Sequence, residues 1–151
     1  MIFALALAVA LAGGAPAAAP PRDGLTCDGN TIELNNCLSA VEQKVDQEHQ
    51  RYVAAARARL KHDAAADPTD AGAAKAVEGF EKAEAAWLVY RKAECDAVYD
   101  NFSAGSIRGS MSETCRIHLT RLRTHTVWLN WLTYLDSTEP ALREPVVPPV
   151  R

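Results

Sequence analysis

Asn30–Leu60, NTIELNNCLSAVEQKVDQEHQRYVAAARARL, decides the fold. Asn30-Thr31-Ile32-Glu33 has the form of a capping box, in which the Asn side chain accepts from a backbone N–H of the first turn and the Glu reaches back. Leu34, Leu38, Val41, Val45, His49, Tyr52, Ala56 and Leu60 then recur at steps of three and four, the period of one helix face. The stretch predicts an amphipathic first helix to about His62.

The same period returns twice. Ala54 to Ala76 is alanine-rich and favours helix, but Asp67-Pro68 and Asp70-Ala71-Gly72 divide it into helix, loop and helix. Val77, Phe80, Glu84, Trp87, Arg91, Cys95, Val98 and Phe102 mark a second helix, from near Asp70–Ala73 to about Asn101, with a turn at Ser103-Ala104-Gly105-Ser106. Ser110-Met111-Ser112-Glu113 offers another capping box, and Cys115, Leu119, Leu122, Thr126, Leu129 and Leu132 carry a third helix to about Asp136. No useful run alternates with period two, so the expected fold is all-α. Short connections favour antiparallel neighbours, hence an antiparallel three-helix bundle.

Ahead of the bundle, Ile2 to Ala12 is apolar and Gly13 to Pro21 is rich in small residues. The pair reads as the h-region and cleavage zone of a signal peptide, too short to span a bilayer at about 20 residues, although no Lys or Arg precedes Arg22. The expected organisation is a signal peptide and cleavage zone at 1–21, a helical domain at 22–137 and a proline-rich tail at 138–151. Glu139-Pro140 and Glu144-Pro145-Val146-Val147-Pro148-Pro149 cannot continue a helix, so the tail is expected to be extended or disordered, able to fold over the end of the third helix.

Cys27, Cys37, Cys95 and Cys115 make an even set in a chain expected to reach an oxidising compartment, the periplasm or beyond, and imply two disulfides. Lipidation at Cys27 is the lesser alternative, because Cys27 lies far beyond the apolar run and follows Leu25-Thr26 without the small residue such a site wants. In an up-down-up bundle all four cysteines fall at one end. Spacing leaves three connectivities open; Cys27 with Cys95 and Cys37 with Cys115 is the expectation, and local pairing is the alternative.

The formal charge of −3 argues against a nucleic-acid partner. Catalysis finds little support: the thiols are committed to disulfides, no glycine-rich phosphate loop occurs, and pairs such as Glu81 with Glu84 are ordinary on helix surfaces. Cys115, His118 and His125 share a helical face, but oxidation removes the thiolate a zinc site would need. No metal, cofactor or enzymatic activity is expected.

Five residues stand out as candidates for binding. Glu84 and Arg91 lie on an apolar stripe one turn either side of Trp87, where a charge must be paired. A structural network joining Glu84 to Arg123 and Arg91 to a first-helix or carbonyl acceptor is the plainer reading; a ligand-facing pair is the sharper one. Trp128-Leu129-Asn130-Trp131-Leu132-Thr133-Tyr134-Leu135 holds more large apolar groups than one stripe can bury. Trp128 and Trp131 are therefore either core residues or part of a partner-binding patch.

Cys27 to Cys37 around a capping box, Glu84 to Cys95 with Trp87, Tyr90 and Arg91, Gly105-Ser106-Ile107, and Cys115 with Thr120 and Arg123 together resemble the LprI-like lysozyme inhibitor family. The family pattern has Gln where this chain has Glu84, and a helix-one motif in which Tyr52 stands one place early here. The resemblance implies a small exported bacterial protein with a lysozyme as its protein partner. The expectation is an exported binding protein that inhibits lysozyme, without stable membrane insertion after signal cleavage and of open oligomeric state. The alternative is a periplasmic structural or assembly protein that binds an envelope partner and leaves lysozyme untouched.

Overall fold

The computed structural model describes residues 27–147, so the expected signal peptide lies outside the described residues. Three helices, α1 (Thr31–Ala66), α2 (Ala71–Asn101) and α3 (Arg108–Trp131), pack as an all-α bundle without strands among the described residues. Asn30 caps α1 as expected: its side chain accepts from the Ile32 and Glu33 N–H groups, and Glu33 accepts from the Asn30 N–H at 2.9 Å. Asp70 caps α2, accepting from Gly72 N at 2.7 Å and Ala73 N at 3.2 Å.

The interior is layered. Near the start of α1, Val41, Val45 and Ile117 form a small cluster with Cys27 and Leu38 against it. Toward the opposite end, Tyr52, Val53, Ala56, Phe80, Val127 and Leu132 form a larger one, flanked by Trp128, Trp131 and Leu142. Between the two lies a polar layer containing His49, Glu84, Thr120 and Thr124, all buried.

Both disulfides join at the same end, but with the local connectivity: Cys27–Cys37 and Cys95–Cys115, each with Cα atoms 5.6 Å apart. This corrects the expected long-range pairing. Gly29, at φ 118°, turns the chain back ahead of the Asn30 cap and lays Cys27 over the second turn of α1; a Cβ at Gly29 would also collide with the Glu33 side chain. Cys95 and Cys115 instead clamp the end of α2 to the start of α3, where Ser112 Oγ donates to the Cys95 carbonyl at 2.9 Å. Sequence separations of 10 and 20 give each bond about 3 kcal/mol in the chain-entropy model, roughly 1 to 2 kcal/mol less than the long-range loops would give. Thiol titration of the native protein should find no free thiol, and Cys95→Ser with Cys115→Ser should lower stability by about 3 kcal/mol in urea unfolding. One reactive thiol per chain would contradict the pairing.

α3 departs from its expected register. Its first residue is Arg108, and Ile107 at the N-cap makes no side-chain capping bond. Ser110 lies inside the helix, its hydroxyl donating to the Ile107 carbonyl at 2.9 Å. The buried residues are Ser110, Ser112, Ile117, Thr120, Thr124 and Val127, while Leu129 is exposed and Leu119 and Leu122 are half-buried. The inward face is thus roughly half a turn from the stripe that apolarity alone selects. Thr120 and Thr124 donate to the carbonyls four residues back at 2.8 and 2.7 Å, which satisfies their hydroxyl protons and leaves oxygens to accept from neighbouring helices.

Trp131, not Asp136, ends α3. Arg59 of α1 donates to the Trp131 and Thr133 carbonyls at 2.9 and 3.0 Å, a cation closing a helix C-terminus. The described part of the tail then folds back. Ala141 N bonds the Leu132 carbonyl at 3.2 Å, Trp128 Nε1 donates to the Leu142 carbonyl at 2.8 Å, and Tyr52 Oη donates to the Arg143 carbonyl at 2.7 Å. Leu142 packs on the larger cluster and Pro145 is buried. Residues 138–147 form neither helix nor strand, bend at 141–142, and pack over the end of the bundle.

Candidate functional site

The stripe of α2 read from sequence is the face that α2 turns inward. Phe80 joins the larger apolar cluster, Cys95 reaches the disulfide end, and Glu84, Trp87 and Arg91 lie between them in the polar layer. Glu84 Oε1 accepts from Arg123 Nε at 2.8 Å and Nη2 at 2.5 Å, while Oε2 faces His49 Nε2 at 3.3 Å. His49 Nδ1 lies 3.2 Å from Thr124 Oγ1, so one carboxylate ties α2 to both other helices. Burial alone pushes the Glu84 carboxyl up, but the hydrogen bonds to His49 and Arg123, with attraction to both, outweigh it and hold the carboxyl below the usual range.

Arg91 completes the layer one turn nearer the disulfides. Its Nη1 donates to Asp46 Oδ1 at 2.6 Å and to Thr120 Oγ1 at 2.7 Å, and its guanidinium lies 4.9 Å from the Trp87 ring centre. The His49 ring stands 4.7 Å from the same indole. Trp87 is therefore flanked by a cation and an imidazole, and it roofs the network at the solvent side. A shallow cleft of about 280 Å³ opens there between α1 and α2, floored by Asp46, His49, Glu84, Trp87 and Arg91. Both oxygens of Glu84 are engaged, which suits positioning and recognition better than proton transfer.

Sequence reading located Glu84, Trp87, Arg91 and the Glu84–Arg123 pairing; of the two acceptors it left open for Arg91, a first-helix group or a carbonyl, the structure has the first-helix Asp46. It missed Asp46, Thr120 and Thr124. Asp46 is next to Val45 on the apolar stripe, a signal for an inward-leaning carboxylate; Thr120 stood out only as part of the family pattern, and Thr124 carried no signal. Arg91→Ala should cost about 1.5 to 3 kcal/mol, the range for hydrogen bonds to a charged group, and thermal unfolding measures it. An unchanged melting temperature with loss of partner binding would instead make Arg91 a contact residue.

Trp128 and Trp131 line no part of this cleft. Both are half-buried against the larger cluster, Trp131 edge-on to Phe80 at 5.5 Å and Trp128 tethered by its indole N–H to the tail. The exposed apolar groups of their segment are Leu129, Tyr134 and Leu135, around an open hollow of about 630 Å³ beside Arg59 and Asp136. The Arg59 guanidinium lies 4.1 Å from the Tyr134 ring centre.

Fold, disulfides and polar layer define a class: a small three-helix domain, clamped at one end by disulfides, with a paired-charge interior. The chain belongs to the LprI lysozyme inhibitor family, whose sequence profile matches residues 25–126 and so covers all four cysteines and the whole polar layer. An uncharacterized protein of Rhizobium meliloti (strain 1021) is 30% identical over 124 residues, covering 79% of this chain and 87% of that relative. No solved structure matches the chain. No helix among the described residues is long and apolar enough to cross a membrane.

Proposed function

We propose that this protein is exported and inhibits a lysozyme by binding it. The observation that carries the reading is the match to a family of lysozyme inhibitors over 25–126, which takes in the disulfide frame, the polar layer and most of α3. The paired interior supports a rigid binding body rather than a catalyst. Two cross-links in a single domain suit an oxidising compartment outside the cytoplasm. An inhibitor needs only to obstruct the substrate cleft and persist there. Host lysozymes are typically basic, so the net acidity of the chain favours their approach.

A turbidity assay of bacterial lysis with oxidised protein tests the proposal. Inhibition of at least one lysozyme is expected, with association slowed by added salt as exposed charges are screened. No inhibition and no binding across chicken-type, goose-type and invertebrate-type enzymes would reject it. The exposed Leu129, Tyr134 and Leu135 group favours a second reading, an assembly protein for an envelope partner. Leu135→Asp would then abolish capture of that partner without unfolding the bundle, because Leu135 is fully exposed.

A further inference from the structure

An enzyme that cuts inside a polysaccharide holds its substrate in a groove, and what obstructs a groove must be convex. The hollows beside Trp87 and beside Tyr134 are concave and cannot enter one. The convex candidates are the two turns that join the helices. Asp67-Pro68-Thr69-Asp70 joins α1 to α2, and its two carboxylates turn back to accept from the backbone at Thr69, Gly72 and Ala73. The turn from α2 to α3, Asn101-Phe102-Ser103-Ala104-Gly105-Ser106-Ile107, differs in kind.

It is braced at its base and bare at its tip. The Cys95–Cys115 bond ties together the two helices that carry it. Ser103 N bonds the Asp100 carbonyl at 3.1 Å, Gly105 N bonds the Phe102 carbonyl at 2.8 Å, and Ser110 Oγ donates to the Ile107 carbonyl at 2.9 Å. A turn held in one shape before it meets a partner loses little freedom on binding, and a rigid scaffold beneath a loop is the common way to position one. No residue from Asn101 to Ile107 is charged, while Ser103, Ala104, Ser106 and Ile107 are exposed, Ile107 by 45%. The tip is therefore slender, with two hydroxyls and one apolar side chain to offer a groove that binds sugars.

Charge behind the turn favours a basic partner. Asp28, Glu94 and Asp100, all exposed at this end of the bundle, form no ion pair among the described residues. Midway along the bundle, by contrast, Glu42, Asp46 and Glu84 are each matched by an arginine. Arg108, the cation nearest the tip, lies 5.0 Å from the Tyr99 ring centre and donates to the Ser103 carbonyl at 3.3 Å, so it is engaged within the turn. Uncompensated carboxylates behind an uncharged tip speed encounter with a basic enzyme and bring no charge that the groove must desolvate.

We propose that the α2–α3 turn, Asn101–Ile107, is the element that lodges in the substrate groove of a lysozyme. The assignment rests on the inhibitory function proposed above and adds the surface responsible for it.

The test uses the full oxidised chain and a lysozyme that it inhibits in the turbidity assay. A short chitin oligosaccharide that fills the groove should compete with the protein, raising its apparent inhibition constant in step with oligosaccharide concentration. Ser106→Arg should raise the inhibition constant about tenfold or more with unchanged circular dichroism and melting temperature, since Ser106 is exposed. Ala104→Arg, at a neighbouring exposed position, should do the same and guards against misfolding of either variant. Leu135→Arg adds the same charge at the opposite end of the bundle and should leave inhibition within about twofold of wild type. Asp28→Asn with Asp100→Asn should slow association severalfold at low salt and leave dissociation nearly unchanged. Arginine variants of the turn that inhibit as well as wild type, or inhibition indifferent to the oligosaccharide, overturn the assignment of the turn while the inhibitory function stands. A wild-type chain that inhibits no lysozyme overturns both.

Discussion

Glu84→Ala is expected to destabilise the oxidised protein by about 3 to 5 kcal/mol, read from the urea midpoint. The substitution leaves Arg123, with its side chain only 16% exposed, facing the cavity where its carboxylate stood. It also removes the link between α2 and His49 on α1. Replacing both partners, as Glu84→Leu with Arg123→Met, should cost much less than Glu84→Ala alone, because no charge is then stranded. Equal costs for the single and double variants would show that the pair is not coupled.

The same carboxylate carries a pH signature. Its folded-state value lies below the ordinary one, so its contribution is complete above the unfolded value of about 4.3 and is lost as pH falls through the folded value. Stability of the wild type should fall below about pH 4 as Glu84 takes up a proton. Glu84→Gln, already weakened at neutral pH, should fall less steeply across that window. A parallel loss in both proteins would place the acid sensitivity elsewhere.

Tyr52→Ala should be the other large loss, about 3 to 5 kcal/mol, since Tyr52 is fully buried at the centre of the larger apolar cluster. Tyr52→Phe isolates the hydroxyl. It should cost about 1 kcal/mol, the worth of the bond to the Arg143 carbonyl. In a chain ending at Ser137 that penalty should vanish, because the acceptor is gone, and the shortened chain should itself be less stable through loss of Leu142, Pro145 and the Trp128 tether. If Tyr52→Phe costs the same in both backgrounds, the tail does not hold the hydroxyl in solution.

Much of the architecture is legible from local signals. Asn30 and Asp70 cap α1 and α2 because a short acceptor side chain ahead of a periodic segment satisfies N–H groups that the helix itself leaves open. The stripes of α1 and α2 face inward as their periodicity states, and charges on the α2 stripe announce that partners must exist. What a one-dimensional pattern lacks is the identity of those partners. Glu84 with Arg123 was readable as a pairing of opposite charges, whereas Asp46, His49, Thr120 and Thr124 enter the layer through packing of helices far apart in sequence.

The sequence by itself determined three helices, an interior containing paired charges, and an even set of cysteines with no thiol to spare. These follow from spacing, composition and parity, which are properties of the chain before it folds. Only the tertiary structure decided the disulfide connectivity, the inward face of α3 and the course of residues 138–147. Disulfide pairing depends on which sulfur atoms the turn at Gly29 and the α2–α3 junction bring together, a geometry that the spacing of the cysteines alone leaves open. The α3 face is set by threonines whose hydroxyls bond back to their own helix, so side chains that read as polar pack as interior ones. The tail is fixed by carbonyls that accept from Tyr52 and Trp128, groups whose need for a partner appears only once the bundle has buried them.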